Sequence, residues 1–364
     1  MPVVFSELEC RDGQKIGWIH LNAPKALNAI SLEMVDLMAH RLEAWAQRED
    51  IRCIFLDSEG DKAFSAGGDI RKLYDSMCLH PQGPNPYAED FFSREYRFNF
   101  NVHYYPKPIV AFGHGYVMGG GLGLFVGCSH RIVSQSTQLT WPEIKIGLYP
   151  DVAASYYLSR IPLHWGRFIG LSGALLNAQD CLLSGLADVY LADQQKMDVL
   201  RELQAQIWQA DNFAQVDAVL EKLSGQRHEA LPESLLTHND AALSDAFSGD
   251  DLSVIEQKFA AIATLHPWLQ KAWKDYQAGC PVTALLVLEQ IRRAQHMPLN
   301  EVVKMEWMMS IHCTRRGNFR EGVRARIIDK DNTPVWSYAR WQDVPADYIA
   351  SYFTWAGQNP LQDL

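Results

Sequence analysis

The sequence predicts an α/β fold with a core of strand–strand–helix units and a long helical C-terminal region. Short β-prone runs alternate with helical runs in the first half, whereas apolar residues at helical spacing dominate from about residue 171 onward. Glycine clusters mark the points at which strands turn into helices. Because strands often come in pairs before a helix, the order departs from strict βαβ alternation, and a plain doubly wound sheet fits less well.

The first predicted elements are a hairpin and a helix. Residues 3–8 and 16–21 are β-prone, and the Asp12-Gly13 pair between them favours a tight turn. Ser31 is a residue type that caps helices, and the apolar positions after it form one stripe that ends near residue 48. That stripe comprises Val35, Met38, Leu42 and Trp45.

Later elements define two regions of the chain. The other predicted strands are residues 51–56, 108–112, 131–134, 138–141 and 189–191. The other predicted helical stretches are residues 87–104, 121–128, 195–224, 251–276, 283–296 and 299–314, with breaks at 224–226 and 248–251. We interpret residues 1–200 as a catalytic core and residues 201–364 as a helical C-terminal region packed on it.

Composition and charge limit the classes of partner. The chain has 364 residues, of which 48% are hydrophobic and 21% charged, as is ordinary for a globular protein. Its net charge of −10, with dispersed basic residues, disfavours nucleic acid and anionic membrane surfaces as partners. No apolar run reaches the roughly 18 residues of a membrane span. Seven scattered cysteines without a C-x-x-C pair, and an N-terminus unlike a secretory signal, lead us to expect a cytoplasmic protein.

Residues 113–151 carry the most informative pattern in the chain. A glycine cluster falls where an apolar strand turns into an apolar helix, and two carboxylates, Glu143 and Asp151, follow it. The cluster comprises Gly115, Gly119, Gly120, Gly121 and Gly123. Backbone N–H groups at such a helix start can stabilise a negatively charged oxygen. Donors for an oxyanion together with carboxylates indicate chemistry at a carbonyl, most simply acyl transfer.

The sequence lacks the standard nucleotide, nucleophile and metal motifs. Neither glycine cluster completes G-x-G-x-x-G, and the chain has no P-loop. The nearest approach to a G-x-S-x-G elbow, residues 63–67, lacks its first glycine, so Ser65 is predicted to be a turn residue. No metal-ligand spacing occurs among the twelve histidines, so no metal site is predicted, and His114 is interpreted as a local turn residue.

A second glycine turn, Gly67-Gly68, follows the strand at 51–56 as the first follows the strand at 108–112. If those strands are neighbours, one N–H from each turn could converge on a single oxygen. Removing one such donor costs about 3–4 kcal/mol of barrier in a well-characterised enzyme. Two donors would therefore supply a large part of the catalysis.

These motifs resemble the crotonase (enoyl-CoA hydratase/isomerase) superfamily. The matching segments are residues 64–70 (FSAGGDI), residues 115–121 (GYVMGGG), and Pro142-Glu143 with Gly147. The resemblance implies a ββα spiral core that binds acyl-coenzyme A thioesters, with the N–H groups of Gly68 and Gly120 forming the oxyanion hole. It also implies that the adenosine end of coenzyme A lies against residues 25–28 and 66–70.

The carboxylates favour one branch of that family. Hydratases have a glutamate where this chain has Gly123, and they usually have glycine where it has Asp151. Residues 141–151 and 321–336 instead resemble the 3-hydroxyisobutyryl-CoA hydrolase branch, and the resemblance covers nearly the whole chain. One departure is Ala153-Ala154, where the branch usually has two glycines. That departure bears on the backbone beside Asp151 and not on its carboxylate.

The resemblance also implies residue roles. Glu143 either attacks the thioester carbonyl or acts as general base for water, and the sequence leaves both alternatives open. Asp151 is expected to bind the substrate's 3-hydroxyl or to manage the proton passed to the leaving thiolate, and Glu95 to line the acyl pocket. The non-catalytic interpretations are a first-turn helix glutamate for Glu143, a turn or N-cap residue for Asp151, and a solvated ion pair for Glu95.

We therefore expect hydrolysis of a short 3-hydroxyacyl-CoA thioester, with 3-hydroxyisobutyryl-CoA of valine catabolism as the first candidate. The alternatives are an enoyl-CoA hydratase or isomerase, which Gly123 disfavours, and a non-catalytic acyl-CoA-binding protein. Coenzyme A enters as part of the substrate, so no separate cofactor is expected. A homo-oligomer is compatible with the resemblance, since crotonases often form trimers.

Overall fold

The computed structural model describes residues 1–225 and 230–364, so Gln226, part of one predicted break, lies outside the described residues. The chain divides into two compact units, each assembled from three separate stretches. Unit 1 is Met1–Gly68, Phe98–Leu139 and Leu176–Leu235; unit 2 is Asp69–Arg97, Thr140–Leu175 and Leu236–Leu364. The predicted boundary between residues 200 and 201 stays a prediction, and both positions lie within one helix, Lys196–Gln204.

The helices and strands have the following bounds. The strands are β1 Val3–Glu9, β2 Lys15–Leu21, β3 Ile51–Ser58, β4 Ala63–Ser65, β5 Ile109–Gly113, β6 Tyr116–Met118, β7 His130–Val133, β8 Gln138–Thr140 and β9 Val189–Tyr190. The helices are α1 Leu32–Ala46, α2 Ile70–Leu79, α3 Pro86–His103, α4 Gly119–Gly127, α5 Ala154–Leu158, α6 Leu163–Ser172, α7 Ala178–Leu183, α8 Lys196–Gln204, α9 Asn212–Gly225, α10 Leu235–His238, α11 Asp240–Phe247, α12 Leu252–Ile262, α13 Pro267–Gln277, α14 Pro281–Ala294, α15 Leu299–Arg315, α16 Asn318–Val323 and α17 Ala346–Ala350.

Two sheets form the framework of unit 1. The larger has the order β1-β2-β3-β5-β7-β9, and the smaller has the order β4-β6-β8. Strands β1 and β2 form the predicted antiparallel hairpin, with Val3 opposite Leu21, while the pairs from β2 to β9 are parallel. Strands and helices therefore combine as the sequence predicts, and the α/β class is confirmed.

Helix α1 shows how closely local signals determine an element. Ser31 Oγ accepts a hydrogen bond from the backbone N–H of Met34 at 3.2 Å, as its role as N-cap requires. The predicted apolar stripe, Val35, Met38, Leu42 and Trp45, is buried. Both the start of this helix and the face it buries are confirmed.

Other elements differ from the prediction for identifiable reasons. Strands β4 and β6 were missed, because three residues carry too little alternation to be recognised. The predicted helical stretch 251–276 is divided into α12 and α13, since Pro267 cannot continue a helix and instead begins one. Likewise, residues 195–224 form two helices, α8 and α9.

Each unit has its own buried core. In unit 1 the larger sheet packs against α8 and α9 through apolar side chains that include Ile16, Cys53, Phe55, Val110, Phe112, Ile132, Val199, Leu203, Val216 and Leu220. In unit 2, α14 and α15 bury most of their residues. None of the helices within residues 1–225 and 230–364 is long and apolar enough to cross a membrane.

Candidate active site

The two glycine turns of unit 1 lie beside each other. Strands β4 and β6, which lead into them, are adjacent and parallel, and so are the longer strands β3 and β5. A Cβ atom added to Gly67 would lie 3.8 Å from Gly119 Cα and 3.9 Å from Gly120 N. The neighbouring strands that a shared oxyanion hole requires are therefore present.

Local structure fixes the backbone at both turns. Gly67 has φ +109°, which residues with side chains rarely adopt, and its carbonyl oxygen accepts a hydrogen bond from Ile30 N at 2.7 Å. Gly68 forms a β-bridge with Ile30. Gly120 is the second residue of α4, where the backbone N–H has no acceptor within the helix. The N–H of Gly120 therefore lies at the positive end of a helix.

Glycine also allows α4 to approach β4 closely. A Cβ atom at Gly121 would lie 2.3 Å from Ser65 Cβ, which is closer than side-chain atoms can pack. Ser65 is buried, and its Oγ accepts a hydrogen bond from Gly67 N at 3.3 Å. Ser65 thus supports the turn, which agrees with its interpretation as a turn residue.

Glu143 lies on a buried turn of unit 2. It begins the 3-10 helix Glu143–Ile146, as its interpretation as a first-turn glutamate expects, yet its residue is only 4% exposed. Its Oε2 atom has no hydrogen-bond partner among the residues that the structure describes. Burying an unpaired carboxylate oxygen is costly, and helix capping does not require it. Such a group is typical of an active site.

The C-terminal region of unit 2 packs directly against the Glu143 turn. A Cβ atom at Gly322, in α16, would lie 2.2 Å from the carbonyl group of Ile146. A Cβ atom at Gly147 would lie 2.5 Å from Asn318 O, and Gly147 itself has φ +72°. Gly322, in the segment 321–336 that resembles the hydrolase branch, therefore lets α16 lie against the backbone that carries Glu143.

Asp151 is buried and hydrogen-bonded to a chain of hydroxyl groups in unit 2. Tyr96 donates its phenolic proton to Asp151 Oδ2 at 2.8 Å. The Tyr96 hydroxyl also lies 2.7 Å from Ser310 Oγ, which in turn lies 2.8 Å from the Tyr149 hydroxyl. The N-cap of α5 is Ala153, so the interpretation of Asp151 as a helix N-cap is wrong. Its carboxylate is instead held by a tyrosine.

Glu95 lies within α3 and is 3% exposed. Its interpretation as a solvated ion pair is wrong, because the side chain is buried. Its Oε1 atom has no hydrogen-bond partner within the described ranges 1–225 and 230–364. Its expected place in the acyl pocket stays a prediction.

Burial changes the acidity of these carboxyl groups. Burial is the largest cause that raises the pKa of Glu143 and of Glu95 well above 4.5, and the charge of Asp151 raises both further. Burial likewise raises the pKa of Asp151 to about 7, although the hydrogen bond from Tyr96 opposes this change. All three groups therefore hold their protons to a higher pH than ordinary carboxyl groups do, and Asp151 exchanges its proton near neutral pH, where acid–base catalysis is most effective.

Glu306 is a further buried carboxyl group, which the sequence analysis missed. It lies on α15, its side chain accepts hydrogen bonds from Ala153 N at 2.6 Å and Ser155 N at 2.9 Å, and burial raises its pKa to about 8. The available signal in the sequence was a glutamate placed directly between two large apolar residues, Met305 and Trp307. Such a residue is rarely buried without a specific partner.

The backbone after Asp151 is unusual beside and within Ala153-Ala154, the pair that stands where the hydrolase branch usually has two glycines. Val152 has φ +53° and Ala153 has φ +69°. Positive φ is uncommon for alanine and an outlier for a β-branched residue such as valine. Gln290, another buried residue that the sequence analysis missed, donates a hydrogen bond to Pro150 O at 2.8 Å. The segment that carries Asp151 is thus held from both sides.

No group of three or more His, Cys, Asp or Glu side chains is arranged to hold a metal ion in the part of the chain that the structure describes. The titratable chemistry of unit 2 resides in carboxyl groups, with tyrosine and serine hydroxyls around them. Carboxyl groups with raised pKa can remove a proton from water or return one to a leaving group.

A family model for enoyl-CoA hydratase/isomerase matches residues 16–353. The chain belongs to this family. The match extends through the C-terminal helices as well as the sheets, so the predicted relationship to the crotonase superfamily is confirmed. Members of this family act on acyl-CoA substrates, and the protein is accordingly an acyl-CoA enzyme of the crotonase family.

Individual relatives match almost the whole chain. The mitochondrial 3-hydroxyisobutyryl-CoA hydrolase of Xenopus tropicalis is 32% identical over 95% of this chain and 88% of its own length. The crystal structure of an enoyl-CoA hydratase from Rhodobacter sphaeroides is 30% identical with a TM-score of 0.85, covering 99% of both chains. That of a carnitinyl-CoA dehydratase from Mycobacterium thermoresistibile is 29% identical with a TM-score of 0.87, covering 99% of this chain and 98% of the other. The crotonase-type fold with an extended helical C-terminal region is therefore confirmed.

Proposed function

We propose that this protein hydrolyses a short 3-hydroxyacyl-CoA thioester, with 3-hydroxyisobutyryl-CoA of valine catabolism as the first candidate. The observation that carries the proposal is the presence of buried carboxyl groups at Glu143 and Asp151 in a chain that has glycine at position 123. The hydratase mechanism places a second glutamate at that glycine in order to add water across a double bond. One glutamate suffices to direct water to a carbonyl carbon.

In the proposed reaction, the N–H groups of Gly68 and Gly120 stabilise the negative charge that develops on the thioester oxygen. Glu143 either removes a proton from the attacking water or attacks the carbonyl carbon to give an anhydride that water then opens. Both routes break the C–S bond and yield the free carboxylate and coenzyme A. Asp151 supplies the proton that the leaving thiolate takes up, or binds the substrate's 3-hydroxyl group, while Glu95 lines the acyl pocket.

Enoyl-CoA hydration or isomerisation is the second candidate. It is favoured by the similarity to the Rhodobacter sphaeroides protein, whose name is that of a hydratase. Gly123 counts against it, because glycine offers no carboxylate for the second proton transfer. A non-catalytic acyl-CoA-binding protein would have no need of a buried carboxyl oxygen without a hydrogen-bond partner, such as Glu143 Oε2 among the described residues.

The test is to incubate the purified protein separately with 3-hydroxyisobutyryl-CoA and with crotonyl-CoA. Free thiol is followed with a chromogenic reagent, and hydration is followed by loss of the enoyl absorbance. The proposal expects thiol release from the first substrate and no hydration of the second. Hydration of crotonyl-CoA without thiol release would establish the second candidate, and turnover of neither, alongside binding of both, would favour a non-catalytic protein. A panel of short acyl-CoA thioesters, including 3-hydroxypropionyl-CoA, then ranks the acyl groups.

Three further expectations accompany this proposal. Coenzyme A takes part only as a portion of the substrate, a homo-oligomer is compatible with the family, and the protein works in a cytosol-like compartment. Several relatives are named as mitochondrial proteins, and that name describes those proteins. Fractionation of source cells, followed by immunodetection, would determine the compartment of this chain.

A further inference from the structure

The carboxylate of Glu306 holds the backbone segment that follows Asp151. Its two oxygens accept hydrogen bonds from two amides of one turn, those of Ala153 at 2.6 Å and Ser155 at 2.9 Å. Glu306 is completely buried, so both bonds form where no water competes with them. Both oxygens of the carboxyl group are thereby paired with amides, and these hydrogen bonds strengthen further when Glu306 ionises.

The turn that Glu306 holds is one that this sequence does not favour on its own. Val152 and Ala153 both have positive φ, at +53° and +69°. A left-handed conformation costs free energy for residues with a Cβ atom and costs glycine nothing. Of the two amides that donate to Glu306, one belongs to Ala153 in this strained pair and the other to Ser155, two residues further along. The hydrogen bonds to Glu306 therefore stabilise the conformation that the alanine disfavours.

The same helix reaches Asp151 through a second connection. Tyr149 donates a hydrogen bond to the backbone oxygen of Glu306, and its hydroxyl lies 2.8 Å from Ser310 Oγ. Ser310 lies one helical turn after Glu306 on α15 and contacts the Tyr96 hydroxyl, which donates to Asp151. Residues on one face of α15 thus hold both the backbone after Asp151, through Glu306, and the Asp151 side chain, through Ser310 and Tyr96.

We propose that Glu306 is a positioning residue: it fixes the strained turn at Val152 and Ala153 and thereby holds the Asp151 carboxyl in its catalytic orientation. This inference rests on the proposed function, in which Asp151 acts on the leaving thiolate or the 3-hydroxyl group. Glu306 is fully buried and both its oxygens are paired with backbone amides, so its loss is expected to affect turnover through Asp151.

The test combines Glu306→Gln with Ala153→Gly. The glutamine side chain has the same shape but only one acceptor oxygen, so one of the two amides faces an NH₂ group instead. A displacement of about 1 Å at a catalytic group can cost about 10²-fold in rate, and we expect kcat to fall between about 10-fold and 10²-fold with KM changed less than about threefold. Ala153→Gly removes the strain, so the double variant is expected to recover about fivefold or more of the lost kcat.

Glu301→Gln is the matched control, because it makes the same change on the same helix at an exposed side chain paired with Lys304. Its kcat is expected to equal that of the wild type. Circular dichroism at the assay temperature establishes that every variant compared is folded. If folded Glu306→Gln keeps wild-type kcat, or if Ala153→Gly restores none of the lost kcat, the positioning role is wrong.

A readout without turnover separates this inference from the proposed function. Amide hydrogen exchange at Ala153 and Ser155, measured without substrate, is expected to rise about 10-fold or more in Glu306→Gln and to stay unchanged in Glu301→Gln. Unchanged exchange in Glu306→Gln would show that Glu306 does not fix the turn at Val152 and Ala153, whatever the activity. If Glu306→Gln exchanges faster but the wild type cleaves no acyl-CoA thioester, then Glu306 does fix the turn and the hydrolase proposal is wrong.

Discussion

At the scale of single residues, unit 2 buries four carboxyl groups, and burial raises the pKa of each: Glu95, Glu143, Asp151 and Glu306. Glu143 and Glu95 each have an oxygen without a hydrogen-bond partner among the described residues, while Asp151 has Tyr96. Because the charge of Asp151 raises the pKa of both Glu143 and Glu95, the titrations of these groups are linked. We expect this linkage to affect both activity and stability.

The first consequence concerns the pH dependence of the rate. Glu143 must be ionised to act on water or on the carbonyl, and burial raises its pKa well above 4.5, so the rising limb of kcat/KM is expected at a higher pH than an ordinary glutamate would give. Since the charge of Asp151 raises the pKa of Glu143, Asp151→Asn is expected to move the rising limb to lower pH as well as to slow turnover. A pH–rate profile of both proteins measures this. A rising limb that stays in place in Asp151→Asn would contradict the coupling.

The second consequence concerns stability. The pKa of Asp151 in the folded protein is about 7 and its ordinary value is 3.8, so the folded state holds a proton that the unfolded state releases. The cost of burying the charge is therefore absent well below pH 3.8 and grows as pH rises to about 7. We expect Asp151→Asn to increase the free energy of unfolding more at pH 8 than at pH 5, by on the order of 2–3 kcal/mol.

Denaturant unfolding of both proteins at the two pH values checks this expectation. Asparagine retains an oxygen that can accept the hydrogen bond from Tyr96, so packing is largely preserved. Exposed Glu301→Gln serves as the control and is expected to show no such pH dependence. An equal effect of Asp151→Asn at both pH values would mean that the folded-state pKa of Asp151 is not raised.

Sequence reasoning found the residues that a motif carries and missed those that tertiary structure brings to them. Gly68, Gly120, Glu143 and Asp151 lie in segments whose local spacing is informative. Glu306 lies more than 150 residues beyond Asp151 along the chain and has no local motif. Its function depends on which backbone amides it meets, and that is determined by how α15 packs.

At the scale of elements, α16 is the support for the turn that carries Glu143. Gly322 has no room for a side chain, because a Cβ atom there would lie 2.2 Å from the Ile146 carbonyl group. This explains in physical terms why a glycine stands in the C-terminal motif that resembles the hydrolase branch. It also shows that α16 of unit 2 belongs to the structure around Glu143.

Gly322→Ala tests this role of α16. We expect the added methyl group to displace the turn, to lower the free energy of unfolding by about 1–3 kcal/mol, and to lower kcat. Gly249→Ala is the matched control, since Gly249 has no atom within 4 Å of an added Cβ and no positive φ. Urea unfolding and steady-state kinetics on both variants provide the measurement. Wild-type kcat and stability in Gly322→Ala would show that α16 does not constrain the turn.

Element boundaries were predictable where a local signal existed. Ser31 and the apolar stripe after it determine α1, and Asp12-Gly13 determines the β1–β2 hairpin. Strands β4 and β6 were not predictable, because their pairing with each other gives them their structure and three residues carry no recognisable period. They nevertheless matter most for the site, since each leads directly into a glycine turn.

At the scale of the whole molecule, the family could be predicted from the sequence. The α/β class, the crotonase relationship and the helical C-terminal region are all confirmed. The two compact units each combine three separate stretches, and the predicted boundary between residues 200 and 201 stays a prediction. Contacts between residues far apart in sequence define such units, and composition carries no record of them.

The central claim is that Glu143, without a second glutamate at position 123, drives cleavage of the thioester. The most direct measurement is the rate of thiol release from 3-hydroxyisobutyryl-CoA by the wild type, by Glu143→Gln and by the control Glu301→Gln. We expect the wild type and the control to release coenzyme A at equal rates, and Glu143→Gln to be slower by about 10²-fold or more while still folded and still able to bind the substrate. Undiminished thiol release by Glu143→Gln would contradict the account.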